Sequence, residues 1–168
     1  MFMMKFNKVV LSLVMMLFVQ PVFAQDEAAG EKGLEYGFHM GRLLPNQVDG
    51  ATEILPLWGL RVGYALPGGG PTVESGVILG SGEGVNWSGL ELSMRTEMKI
   101  EDLVGIIYVG ADVTRYEGIG QSANVYGGGH VGGGVMSQIG RSTWVRVDMK
   151  FMATPGTSLY INVGLLFR

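Results

Sequence analysis

The chain has 168 residues, a formal net charge of −3, 28 glycines, no cysteine and a hydrophobic share of 47%. This length allows one ordinary domain, and the absence of cysteine excludes disulfide frameworks, thiolate metal sites and cysteine nucleophiles. The mild acidity argues against a nucleic-acid partner, because such partners normally meet a clustered basic surface.

Residues 1–24 have the three parts of a secretory signal peptide. Two lysines are followed by an apolar run at 9–19, and small residues then precede a cleavage site at Gln25. The apolar run is about half as long as the roughly 20 residues that a membrane-spanning helix requires. We therefore predict cleavage, which removes two positive charges and no acid and leaves a formal charge of −5. The polar residues 25–32 are expected to form a frayed leader.

From residue 33 to residue 168, apolar and polar side chains alternate with the period of two that is typical of β-strands. The alternation predicts eight strands, at 34–41, 58–66, 72–79, 90–98, 103–114, 125–136, 145–151 and 159–167. The connections between them are short and rich in turn residues, at 45–52, 67–71, 81–86, 99–103, 117–123, 137–142 and 153–158. Short connections favour antiparallel hairpins over helical crossovers. Three residues, Pro56, Ser75 and Trp144, predict bulges that would shift a register.

The composition of the polar face indicates which side of this sheet points outwards. It combines glycine with a nearly balanced set of charges, and balance of this kind suits an enclosed interior in which each charge needs a partner. We therefore predict an all-β fold, an eight-stranded antiparallel up-and-down transmembrane β-barrel with its apolar face towards lipid. The predicted interior polar residues are Glu35, His39, Arg61, Glu74, Glu91, Arg95, Glu97, Asp112, His130, Arg146, Asp148 and Lys150.

The predicted outer face is almost free of charge. Arg42 and Arg115 are exceptions near strand ends, where an arginine can extend to lipid headgroups or pair with lipid phosphates. Aromatic residues near strand ends are expected to lie at the membrane interfaces, as such girdles do in transmembrane barrels. They are Tyr36, Trp58, Tyr64 and Phe167.

The C-terminal heptapeptide NVGLLFR resembles the assembly signal of Gram-negative outer-membrane barrels. Gly164, Leu165 and Phe167 match that pattern, whereas Arg168 follows the aromatic residue on which the pattern usually ends. The chain from 33 to 168, with YVGADV at 108–113 and VRVDMKF at 145–151, resembles the small eight-stranded barrels of the OmpA/OmpX-like superfamily.

This resemblance implies an outer-membrane location with both termini in the periplasm. The turns at 67–71, 99–103 and 137–142 would then be periplasmic, and the other four connections extracellular. The implied partners are outer-membrane lipid and lipopolysaccharide, and the barrel-assembly machinery during insertion.

The function that these features predict is that of a non-enzymatic outer-membrane barrel with a charge-filled interior, in a structural or surface role and without a cofactor or metal. One alternative is a lipid-modifying enzyme similar to lipid A deacylases. His39 and His130 lie on the interior face, and neither has a serine two residues on as the deacylase pattern requires. A second alternative is surface adhesion, which needs projecting loops, whereas the outer connections are short.

Overall fold

The computed structural model describes residues 33–46, 48, 54–82, 84–120, 122–153 and 155–168. Within these ranges eight antiparallel strands close into a barrel, in which each strand pairs with its chain neighbours and the last pairs with the first. The strands are β1 (Leu34–Asn46), β2 (Leu55–Ala65), β3 (Thr72–Gly82), β4 (Val85–Ile100), β5 (Leu103–Glu117), β6 (Asn124–Gln138), β7 (Thr143–Met152) and β8 (Thr157–Phe167).

The predicted fold class is therefore confirmed. The predicted signal peptide at 1–24 and the leader at 25–32 lie outside the described residues. In the described part of the chain, no helix is long and apolar enough to cross a bilayer.

The alternation of the sequence becomes an alternation of burial, with the apolar side chains outside. In β7, Arg146, Asp148 and Lys150 are buried, whereas Val147 and Met149 between them are exposed. Every second residue of β2 is likewise buried from one end of the strand to the other. Since successive side chains of a strand point to opposite faces, the hydrophobic face is the outer wall of the barrel.

The stagger of the strands determines which side chains meet inside. A row of paired residues that begins at Leu34 passes once round the barrel and returns to β1 at Leu44, ten residues further on. With about 4.8 Å between strands and about 3.3 Å per residue, this stagger gives a strand tilt of roughly 40°. Each residue then advances about 2.5 Å along the barrel axis, so the ten-residue β7 spans about 25 Å, the height of the apolar band of transmembrane barrels.

The strands are longer than the alternation predicted. β1 continues through Pro45 and Asn46, and β3 and β4 leave only residues 83–84 of the predicted 81–86 connection outside strands. Serine, asparagine and glycine residues at these ends interrupt the hydrophobic pattern, yet their backbones still pair across the hairpin, as Ser81 does with Asn86.

The predicted bulges are wrong for the described ladders. Ser75 pairs regularly with Val62 and Leu92, and Trp144 pairs regularly with Gln138 and Leu166. Pro56 pairs with Arg42 and lies one residue before the first β2–β3 pair, which joins Leu57 to Gly80. A proline at such a strand edge removes no backbone N–H that the ladder uses, so no bulge is needed to accommodate it.

Candidate functional site

The interior of the barrel contains a network of charged residues and two clusters of buried apolar residues, the smaller of which comprises Ile106, Tyr108, Met136 and Leu166. We call the end where β1 begins and β8 stops the terminal end, and the opposite end the distal end. Buried apolar residues fill the interior towards the distal end and form what we call the apolar plug, in which Trp87 and Tyr116 pack edge to face with ring centroids 5.6 Å apart. Its members are Leu43, Val48, Leu55, Leu57, Ile78, Val85, Trp87, Tyr116, Met152 and Tyr160.

The plug corrects the expectation that the interior is filled by charge. Leu55 and Leu57 lie on the same face of β2 as Arg61, and Trp87 lies on the same face of β4 as Glu91 and Arg95. This parity is readable from the sequence, but the predicted second strand began at 58 and the predicted fourth at 90. The inward apolar residues at the distal strand ends were therefore missed.

Arg95 is the hub of the charged network. Its side chain is 0% exposed, and its guanidinium lies 2.6 Å from Glu35, 2.6 Å from Glu74 and 2.8 Å from Glu97. These partners belong to β1, β3 and β4, so one side chain connects three strands. Buried ion pairs offset the cost of removing the charges from water only when each ion has several hydrogen-bonding partners. Arg95 meets this condition with three carboxylates.

A second cluster lies next to this hub, across the barrel. Arg146 bonds Glu74 at 2.7 Å and pairs with Asp148 on its own strand. Asp148 also accepts hydrogen bonds from Asn162 at 2.6 Å and Tyr108 at 3.0 Å. The carboxylate of Glu74 is shared between Arg95 and Arg146, and it therefore joins the two clusters into one network.

Arg61 adds His39 to this network. Its Nε donates to His39 Nδ1 at 3.0 Å, and its two terminal nitrogens donate to Asn162 at 3.1 Å and Asp148 at 3.3 Å. Because Nδ1 of His39 accepts this bond, the imidazole is neutral and carries its proton on Nε2.

Two further cations, Lys150 and Arg168, lie at opposite sides of the network. Lys150 pairs with Glu91, and its ammonium lies 5.4 Å from the ring centroid of Tyr160 in the plug. At the terminal end, Arg168 bonds Glu97 at 2.7 Å and stacks over the ring of Trp144 at 4.2 Å. The residue that departs from the usual C-terminal pattern thus lies in the terminal mouth of the barrel.

The remaining predicted polar residues form a separate chain of hydrogen bonds. Ser93 Oγ lies 2.8 Å from Nε2 of His130, and Nδ1 of His130 lies 3.1 Å from Asp112. Since the carboxylate can only accept, Nδ1 carries a proton, and in the neutral tautomer Nε2 can accept from the serine hydroxyl. This is the order of nucleophile, base and orienting acid found in serine hydrolases. Sequence reasoning missed it because Ser93 and His130 are 37 positions apart and meet only through the register of β4, β5 and β6.

Glycines on the inner face make these crossings possible. His130 reaches Ser93 by passing over Gly110 of the intervening strand, where an added Cβ would lie 2.6 Å from its Nε2. His39 lies in the same way over Gly59, again 2.6 Å from the position of a Cβ. The glycines of the inner face therefore leave the space that its long polar side chains occupy.

The space left between the polar side chains is very small. The central cavity, which Ser93, Tyr108, Lys150 and Asn162 help to line, has a volume of about 10 Å³, enough for about one water molecule. Among the described residues, no group of three or more histidines and carboxylates could hold a metal ion. A substrate larger than water does not reach Ser93 in this conformation.

The remaining sequence-predicted residues lie on the wall. Tyr36, Trp58 and Tyr64 are each more than half exposed on the outer face, and Phe167 stacks on Tyr36 with ring centroids 5.4 Å apart. Gly164 of the C-terminal pattern pairs with His39 and with Arg146, where a side chain would collide with β1. The role of Gly164, Leu165 and Phe167 in assembly stays a prediction.

The fold is similar to that of solved bacterial barrels. The N-terminal β-barrel domain of Pseudomonas aeruginosa OprF matches with a TM-score of 0.63 and 10% identity over 81% of this chain and 97% of that one. Neisserial surface protein A (NspA) matches with a TM-score of 0.63 and 8% identity over 80% and 94%. The outer membrane enzyme PagL matches with a TM-score of 0.50 and 11% identity over 80% and 99%.

No protein-family model matches the sequence, and no curated protein matches it. The structural likenesses define a class by fold: the chain folds as a small eight-stranded outer-membrane-type β-barrel. The resemblance to such barrels noted in the sequence is confirmed at this level.

Proposed function

We propose that this protein is a non-enzymatic integral barrel of a Gram-negative outer membrane, exported through a signal peptide that is cleaved before Gln25. The proposal rests on the distribution of side chains in the barrel wall, with large apolar side chains outside and ion pairs inside. Leu34, Leu60 and Leu90 are each more than half exposed on different strands. A continuous apolar belt of this kind far exceeds the few hundred Å² of apolar patch that soluble monomers expose, so it requires lipid.

The charged interior supports a structural role. Each buried cation of the network has a carboxylate partner from another strand, such as Arg95 with Glu35 and Arg146 with Glu74. These ion pairs connect strands through the inside of the barrel, and the apolar plug closes the distal half. A barrel filled in this way resists deformation and gives ions no continuous aqueous path.

The orientation that we propose places the terminal end in the periplasm. The turns at 66–71, 101–102 and 139–142 would then be periplasmic, and the distal connections would face the cell exterior together with outer-leaflet lipopolysaccharide. The distal connections between β3 and β4 and between β7 and β8 span only residues 83–84 and 153–156. Connections this short favour a structural role over adhesion.

The test is gel migration of the membrane-extracted protein in mild detergent, with and without boiling, combined with membrane fractionation and mass measurement. We expect a heat-modifiable band in the outer-membrane fraction, with a mass that begins at Gln25. Recovery of the mature chain as a soluble periplasmic protein without detergent would refute the proposal.

In planar bilayers we expect no steady conductance, and a Leu57→Ala, Trp87→Ala variant that opens the plug is the matched control.

One observation favours a second candidate, a lipid-modifying hydrolase. Ser93, His130 and Asp112 have the bonding order of a catalytic triad, and PagL, which shares the fold, is an outer membrane enzyme. The water-sized cavity beside Ser93 argues against it, because an acyl chain outside the wall does not reach the hydroxyl. Fatty acid released from lipopolysaccharide by the wild type but not by Ser93→Ala would support this candidate. The outward-facing Ser75→Ala is the control.

A further inference from the structure

The outer wall carries a charged side chain where lipid is expected. Among the outward-facing residues of the described strands, the charged ones are Arg42, Arg115 and Glu117. Arg115 and Glu117 lie at the distal end of β5, with their charged groups 3.8 Å apart. Arg42 is exposed and stands between Met40 and Leu44 on the outer face of β1. No carboxylate of the described ranges is within ion-pair distance of its guanidinium.

The register fixes the depth of Arg42 in the apolar belt. It lies six residues from Tyr36 on β1, and therefore about 15 Å above that aromatic residue along the barrel axis. Asn46 lies four residues further on and donates a hydrogen bond to Thr157 at 2.8 Å in an exposed polar pair. Arg42 is thus about 10 Å below the first polar pair of this face. The cost of an arginine on the lipid face is about 2–4 kcal/mol at the bilayer centre and falls to about 0–1 kcal/mol near the interface.

Trp58 lies beside Arg42 at almost the same depth. It pairs with Met40, the outward neighbour of Arg42, and Arg42 itself pairs with Pro56, the outward neighbour of Trp58. The two side chains are therefore diagonal neighbours on the outer face, and both are exposed. An indole at this depth places its apolar ring against acyl chains and its N–H towards the headgroups.

We propose that Arg42 and Trp58 form a binding site for the phosphate group of a phosphorylated lipid in the leaflet that surrounds the distal end. The guanidinium extends along the wall towards the headgroups and binds the phosphate through two parallel hydrogen bonds, and the indole packs against the lipid. The geometry of this contact requires arginine, since a lysine binds phosphate as a point charge. The proposal depends on the membrane location proposed above, and under that proposal the ligand is the phosphorylated lipid A of the outer leaflet.

The experiment uses the mature chain folded in maltoside micelles, which contain no phosphate. Bisphosphorylated lipid A or fully dephosphorylated lipid A is added, and bound lipid is counted by native mass spectrometry. We expect the wild type to bind the phosphorylated lipid at least tenfold more tightly than the dephosphorylated one. Arg42→Met should lose this preference, and Arg42→Lys should keep only part of it. Arg115→Met is the matched control, because it removes the other outward cation, and it should behave as the wild type does.

The Arg42→Met variant also separates this inference from the proposed function. In micelles without added lipid, Arg42→Met should unfold at the same or a higher temperature than the wild type, since no phosphate is then lost. Equal binding of the two lipids by the wild type, or an unchanged preference in Arg42→Met, would overturn the phosphate site while leaving the barrel intact. A wild-type chain that does not fold into micelles at all would overturn both.

Discussion

Replacing Arg95 by methionine removes the charge at the hub and retains most of the side-chain volume. Three carboxylates, of Glu35, Glu74 and Glu97, then lose a partner within 2.8 Å in a position that is 0% exposed. Glu74 keeps Arg146 at 2.7 Å, whereas among the described residues Glu35 retains only Arg168 as an ion-pair partner, at 3.8 Å. Removing one partner of a buried ion pair costs about 3–5 kcal/mol, so we expect the free energy of unfolding to fall by about that amount.

The assay is equilibrium unfolding in urea in phospholipid vesicles, read from the heat-modifiable band. A second change, Glu35→Gln, should restore part of the loss, because it removes the carboxylate that Arg95→Met leaves most poorly paired. Arg146→Met is the matched comparison, because Asp148, the partner of Arg146, still contacts Arg61, Tyr108 and Asn162 in that variant. A loss of less than about 1 kcal/mol in Arg95→Met, or no recovery in the double variant, would refute this account of the interior.

Three further changes test other parts of the barrel. Glu101 has a positive φ of 52° in the two-residue turn between β4 and β5. Because glycine adopts this conformation without steric cost, Glu101→Gly should raise the free energy of unfolding by about 1 kcal/mol. A decrease in the same urea titration would contradict this. Gly110→Ala should displace His130 and lower the melting temperature in micelles, whereas Gly127→Ala, whose Cβ meets open space, should leave it unchanged. Arg168→Gln should lower unfolding stability by about 1 kcal/mol, seen as a lower urea midpoint, and an unchanged midpoint would show that its ion pair with Glu97 contributes nothing.

The strand pattern and the direction of each face could be predicted from the sequence because both depend on a local period of two. Val147 and Met149 alternate with Arg146 and Asp148 within one strand, and no distant residue is needed to see it. The predicted bulge at Ser75 is wrong, because a polar side chain on the outer face does not interrupt the backbone ladder. In the barrel, Ser75 pairs as its neighbours do.

The partners inside the barrel could not be predicted, because they depend on the stagger. Arg95 meets Glu35 only when strands β1 and β4 have the correct relative height, and a shift of one residue turns either side chain outwards. The chain from Ser93 to Asp112 also depends on the absence of a side chain at Gly110. A sequence shows a glycine at that position, but not the side chain from another strand that uses the space.

The sharing of Glu74 has a consequence for how this protein forms. Its carboxylate lies within ion-pair distance of arginines on β2, β4 and β7, and in a half-built sheet the last of these strands is still absent. An intermediate that lacks β7 therefore holds Glu74 without one of its arginines, and the full set of ion pairs forms only as the cylinder closes. Folding of such a chain is expected to be all-or-none, and fragments cut between hairpins should gain their structure only when all of them are present together.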